Sequence, residues 1–354
     1  MKLPGLNFQA LHCLPVLEGL AGFKVQDLRL CNGTQGGTKA FTGAVEQVLF
    51  IPDLRLQLLH DHIVPLEVIA PPWTLDFEVR RGPRGFRGAT PQYQIPFEAV
   101  EADLEVCCLS NLYSRNYHHF VSEELLRAMV LEENGFTGYY IIDKLPAFAG
   151  QFLSMFGIAE ERLIRSVPGP TIYRKAAFVT PIDVSKAMTF PGLYSRLRSH
   201  LLGHADGRSV PLPRRLWMER DLCVNNKGRD LINRDEVFGI VERYGFQILD
   251  MPAFLPEQQI AIAHNARMMG GVHAGAFIHV LFMEPRSAII ECFSPVYVNP
   301  SVIEPAQLLE HDFSMLVSDC GHLGYQHGKK VLVNCNHLEL HLQRLDRLYG
   351  PDHG

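Results

Sequence analysis

Apolar residues along this chain follow two rhythms. Up to about residue 100 they come in short alternating stretches between Gly, Pro and Asn, as in Val48-Leu49-Phe50-Ile51, Val64-Pro65-Leu66-Glu67-Val68-Ile69 and Phe77-Glu78-Val79. That pattern predicts a β-rich entry segment. From Leu104 the period alternates between strand and helix: strand 104–109, helix 119–133 ended by Asn134-Gly135, strand 139–143, helix 147–156 stopped by Gly157, and strand 162–167. A βαβαβ order of this kind predicts a parallel sheet covered by helices.

A helix-like stretch, 191–202, leads to Pro211-Leu212-Pro213, after which the rhythm restarts. Strand 216–219 is followed by helix 235–244, closed by Gly245, then strand 246–249, helix 257–266 and the glycine-containing stretch Arg267 to Phe293. The fold class expected is α/β, with two doubly wound halves joined near 204–213 and a cleft at the carboxyl ends of their strands, where such sheets bind ligands. A final amphipathic helix, 336–349, is expected to cross back and tie the halves together.

Within Arg267 to Phe293 the pattern predicts strand to Gly270-Gly271, a break at Val272-His273-Ala274-Gly275, a helix over 276–282, a turn at Pro285 and a strand ending in Glu291. The glycines would let the backbone approach a ligand closely, and the first helix amides would point outward as phosphate donors. Glu291 ends an apolar strand, where a carboxylate is costly unless it binds something; ribose hydroxyls suit it. A packed βαβ unit with Glu291 at a solvated edge is the alternative.

Composition narrows the possibilities. A hydrophobic fraction of 47% and a charged fraction of 20% are those of a soluble globular chain. The net charge of -5 argues against a nucleic-acid binder. No apolar run reaches the ~18 residues of a membrane span, and Pro4, His12 and Glu18 interrupt the start of the chain, which speaks against a secretory signal and for a cytoplasmic location. The 8 cysteines show no C-x-x-C pair and are read as small buried residues. His60-Asp61-His62 and His337/His341 lack a third ligand, so no metal site is expected. Four arginines between Arg80 and Gly88 form a basic loop that could meet phosphates or an anionic lipid surface, or simply face water.

Two further arginines lie upstream of the glycine stretch, Arg220 at a strand end and Arg229 in the loop before the next helix. A planar guanidinium can neutralise a departing diphosphate, although surface salt bridges would explain either arginine alone.

The order Arg220, Arg229, Asn233, Gln259, Gly271, His273, Glu291, with Asn116-Tyr117-His118-His119 and Glu123 earlier, resembles glycosyltransferase family 61 over about residues 104–293. This chain departs from the family pattern in reading His273-Ala274-Gly275 where His-Gly-Ala is usual, in carrying His279 at an Asn position, and in having Arg234 after Asn233 where Glu is usual.

The resemblance implies a GT-B-like fold of two Rossmann-like domains facing a cleft, divided here as an acceptor-side domain 1–203 (β-rich entry 1–100, Rossmann-like 101–203), a nucleotide-sugar-binding domain 204–335 and a helical return 336–354. It implies an inverting hexosyl- or pentosyltransferase that needs no cofactor or metal. The donor would be a UDP-linked nucleotide-sugar, and the acceptor a glycan or lipid-linked saccharide, handled at the inner face of a membrane with peripheral association. Arg220, Arg229, Asn233, Gln259, Gly271, His273, Ala274, Gly275 and Glu291 would bind the nucleotide diphosphate. His119 is the expected base, with Glu123 one helical turn on to orient it or take its place, and Asn116 capping or positioning the segment on the acceptor side. A nucleotide-sugar epimerase and a non-catalytic nucleotide-sugar-binding partner protein are the competing readings.

Overall fold

The computed structural model describes residues 25–30, 41–52, 56–59, 99–110, 114–179, 187–188, 190–219, 230–318 and 330–350. The chain divides into two compact units, Met1–Asp183 with Thr189–Leu193, and Val184–Met188 with Tyr194–Gly354. Both contain a sheet with parallel strands joined through helices, so the protein is of the mixed α/β class.

The strands of the first unit are β1 (Val25–Leu30), β2 (Phe41–Ile51), β3 (Leu56–Leu59), β4 (Val100–Cys108), β5 (Tyr139–Ile141), β6 (Leu163–Ile164) and β7 (Thr171–Val179). They form one sheet in the order β1-β2-β7-β4-β5-β6, with β3 on β2. β2 runs antiparallel to β1, β3 and β7, whereas β4 is parallel to both β7 and β5, and β5 to β6. In the entry segment, the stretches around Val64 and Phe77 and the arginine loop lie outside the described residues.

Between β4 and β5 come a turn at Tyr117–His119, a π-helical stretch Phe120–Glu124 and helix α1 (Leu125–Glu133); α2 (Ala147–Met155) leads to β6. Helix α1 buries Leu125, Leu126, Met129 and Val130 and stops where Asn134 Nδ2 donates to Val130 O at 2.7 Å and Gly135 turns left-handed, φ 81°. Its end is pinned by Arg162, whose two terminal nitrogens bond the Glu132 carboxylate at 2.9 and 2.8 Å and whose Nε donates to Gly138 O. The strand expected over 162–167 shrinks to the two residues of β6, because a 3-10 turn, Glu160–Arg162, takes up its start. Conversely, β7 was not anticipated. Its Tyr173-Arg174-Lys175 breaks the apolar run, yet the residues that follow, Ala176 to Val179, are buried.

The second unit holds β8 (Arg215–Met218), β9 (Gln247–Leu249), β10 (Met268–Val272), β11 (Ala288–Phe293) and β12 (Asp312–Val317), all parallel, in the order β12-β11-β10-β8-β9. This is a doubly wound order. The chain leaves β8 toward one edge and β10 toward the other, so the sheet reverses direction between β8 and β10, and ligands of such sheets lie in the crevice beyond those two carboxyl ends.

Its helices are α3 (Pro191–Leu202), α4 (Arg234–Arg243), α5 (Pro256–Asn265), α6 (Ile303–Leu308) and α7 (Cys335–Tyr349). From Tyr194 onward α3 belongs to this unit, where Arg198 Nη2 donates to Met283 O at 3.0 Å. The C-terminal helix α7 lays Leu338, Leu342 and Leu345, all at most 1% exposed, into the core with Trp217, Val237, Ile240 and Ile290. Spacing of four and three residues puts these leucines on one stripe, and each contributes roughly 1.5–3 kcal/mol by burial. The helix expected to tie two halves together thus completes the core of the second unit. No helix among the described residues is long and apolar enough to cross a membrane.

Candidate functional site

At the carboxyl end of β10 the chain runs from Gly270 and Gly271, both inside the strand, to His273. A Cβ on Gly270 would stand 2.6 Å from the Trp217 ring, and one on Gly271, whose φ is 156°, would stand 2.8 Å from Met218 O. The two glycines therefore let β10 lie close against the large Trp217 of β8, and the approach they permit is between strands. The next segment, Gly275–Leu281, is a 3-10 helix of seven residues where an α-helix was expected. Gly275 and Ala276 are partly exposed, but Phe277 to Leu281 are all buried, so most of the segment is an interior connection without the polar face of a longer amphipathic helix.

Glu291 is 0% exposed and lies in register beside Gly271. Its Oε1 sits 2.5 Å from His273 Nδ1. A carboxylate so far from water is costly without a partner, and the His273 ring N–H supplies one. Glu291 was expected on a ribose; the group it holds is His273, whose ring also stacks on Phe293 at 5.0 Å and touches Tyr297 at 5.7 Å. His273 N donates to Cys292 O, fixing the backbone as well.

Two other residues expected at the nucleotide have their amides engaged within the fold. Gln259 Nε2 donates to Phe254 O at 2.8 Å, and its Oε1 accepts from His279 Nε2 at 2.9 Å. Burial pushes His279 down to about 3, so the ring is neutral and donates through Nε2. Gln259 and His279 together fasten α5 to the 3-10 segment that begins at Gly275. Asn233 Nδ2 donates to Val333 O at 2.9 Å and its Oδ1 accepts from Val333 N at 3.1 Å, which clamps the segment just ahead of α7. Arg234 bonds Glu219, just beyond β8, through Nε at 3.1 Å and stacks 4.5 Å over Phe238. Arg220 and Arg229 lie outside the described residues.

In the first unit, Asn116 caps the segment as the sequence suggested, its Oδ1 accepting from His118 N at 3.0 Å. His119 Nδ1 is 2.8 Å from Glu123 Oε1, with side chains 22% and 11% exposed. The π-helical stretch carries Glu123, and such stretches recur at functional sites. His118 faces inward, and Ser122 Oγ donates to its carbonyl at 2.7 Å. Tyr117 packs edge-on against Phe148 and Phe152, anchoring this segment on α2. Of the two adjacent histidines, His119 is the one whose ring reaches both a carboxylate and the surface.

Sequence reasoning missed Tyr297, Arg234 with Glu219, and the role of His279 as Gln259's partner; only the unusual residue types at 234 and 279 signalled anything there. Among the described residues no three His, Cys, Asp or Glu side chains come together as a metal-binding group.

Residues 117–290 match the family model Glycosyltransferase 61. A comparison with curated proteins found no match. The matched stretch contains the His119–Glu123 pair, the whole of α4 and α5, and the β10 carboxyl end with His273; it stops one residue before Glu291.

Proposed function

Through residues 117–290 this chain belongs to glycosyltransferase family 61 and is a glycosyltransferase, with a donor and an acceptor substrate; from that premise we propose an inverting, metal-independent transfer from a UDP-sugar on a GT-B plan. The acceptor in this proposal is a glycan or lipid-linked saccharide, met at the inner face of a membrane by a peripherally associated protein.

The observation that carries the proposal is the 2.8 Å pair of His119 Nδ1 and Glu123 Oε1. Inversion needs one base, which takes the acceptor hydroxyl proton as the diphosphate leaves from the opposite face of the sugar. An imidazole whose Nδ1–H is held by a carboxylate presents Nε2 as that base, and the carboxylate stabilises the imidazolium formed.

The donor's diphosphate is assigned to the crevice beyond β8 and β10, at His273-Ala274-Gly275. There His273, held in place by Glu291, supplies a ring N–H donor, and Arg220 and Arg229 supply the positive charge that a divalent ion would otherwise bring. Asn233 and Gln259 act one step back, as residues that fix α4 and the 3-10 segment.

The test is a product assay. Purified protein is given a panel of UDP-sugars with a saccharide or lipid-linked acceptor extract; UDP release that depends on acceptor, and a product whose anomeric configuration is opposite to the donor's by NMR, are expected. Retention of configuration would overturn the mechanism. Isomerisation of the donor without acceptor would point to an epimerase.

A further inference from the structure

The carboxyl edge of β11 exposes an apolar surface that holding a diphosphate does not require. Phe293, ending the strand, is 1% exposed; the His273 ring lies against it at 24° between planes; Tyr297 then touches His273 and is half-buried. The aromatic contacts thus run outward from the core to the rim. Tyr297 sits in a tight turn, where its N–H donates to Ser294 O at 3.0 Å, and it is flanked by Val296 and Val298, which are 39% and 44% exposed.

We propose that Tyr297, with Val296 and Val298, is the platform on which the nucleobase of the donor rests. This deepens the nucleotide site proposed above and depends on it. A nucleobase is a flat, uncharged ring system that leaves water readily for an aromatic face, and aliphatic side chains at the rim keep water from its edges. The position suits it: His273, one contact away, lies at the phosphate end of the proposed site, so a nucleotide with its phosphates toward His273 and Gly275 brings its base to the β11 edge. The aromatic contact also links base and phosphate binding, since Tyr297 touches the ring that Glu291 holds.

Calorimetry with UDP on the full chain tests this. Tyr297→Ala is expected to weaken UDP binding roughly five- to a hundredfold, the range given by removal of one base–aromatic stack, while Tyr297→Phe keeps the wild-type affinity. Val296→Ser with Val298→Ser is expected to weaken UDP by a smaller factor, with the thermal midpoint of the free protein unchanged. Equal UDP affinity in Tyr297→Ala and wild type would overturn the assignment, and so would a variant that binds UDP normally but has a raised KM for the acceptor, which would make this an acceptor surface. If wild type itself fails to bind any of UDP, GDP or ADP, the nucleotide site and its platform both fall; if wild type binds and Tyr297→Ala is unaffected, only the platform does.

Discussion

His119 Nδ1 and Glu123 Oε1 stand 2.8 Å apart across a π-helical stretch, while the neighbouring His118 is turned into the core. With His119 as base, His119→Ala should leave UDP binding nearly intact and lower turnover by ~10²–10⁴-fold. The wild-type rate should fall on the acid side as the imidazole takes up a proton, and that limb should disappear in the variant. Glu123→Gln keeps size and removes the negative charge; a milder loss than His119→Ala is expected. If Glu123→Gln abolishes turnover and His119→Ala only dents it, the carboxylate is the base.

Activity should persist in EDTA, since the leaving diphosphate is neutralised by arginines in the proposed mechanism. Arg220→Ala or Arg229→Ala should reduce kcat more than UDP affinity, because charge on the leaving group grows as the bond breaks. Loss of turnover on chelation with rescue by Mg²⁺ or Mn²⁺ would contradict both statements.

The two rhythms of the chain carried most of the fold. Asn134-Gly135, Gly157 and Gly245 were legible as helix stops, and all three glycines have positive φ, 81°, 70° and 74°. These positions are local: the chemistry of a left-handed residue is visible wherever a glycine follows an apolar helical stripe. Pairings across the chain were not legible. Asn233 reads as a polar residue before a helix, but its amide is spent on Val333, a hundred residues on, and Gln259 on Phe254 and His279. Residue order can signal that these positions matter while leaving open which groups they face. The strands β7 and β12 were missed for local reasons: Arg174-Lys175 interrupts the apolar run of β7 although most of that strand is buried, and β12 is an edge strand whose residues are mostly only partly covered.

Acid should destabilise the protein partly through His279. The folded state holds this ring neutral down to about 3 because it is fully buried, whereas in the unfolded chain it takes up a proton near the ordinary imidazole value of ~6.5. Between those values the unfolded state binds more protons, so stability rises with pH; the contribution is fully present above ~6.5 and is lost as pH falls toward about 3. Burial pushes His311 in the same direction. Thermal midpoints measured from about pH 7 to about pH 4.5 should therefore drop more steeply for wild type than for His279→Gln, which retains a donor for Gln259 and does not titrate. Parallel slopes would remove His279 from the acid response.

Glu291 and His273 should behave as one unit. Removing either member of a wholly buried pair leaves the other without its partner, at a cost of roughly 3–5 kcal/mol where no water reaches, so Glu291→Ala should lower the thermal midpoint markedly. Glu291→Gln keeps the volume but removes the carboxylate that orients the His273 ring toward a phosphate, and UDP affinity should fall by roughly the 1.5–3 kcal/mol of a hydrogen bond to a charged group. His273→Asn should lose a similar amount. Because the carboxylate acts through the imidazole, the double variant should bind UDP no worse than the weaker single variant, a coupling as large as either effect. Additive losses would show that Glu291 reaches the nucleotide by itself, as a ribose ligand would, and that the 2.5 Å contact opens when UDP binds.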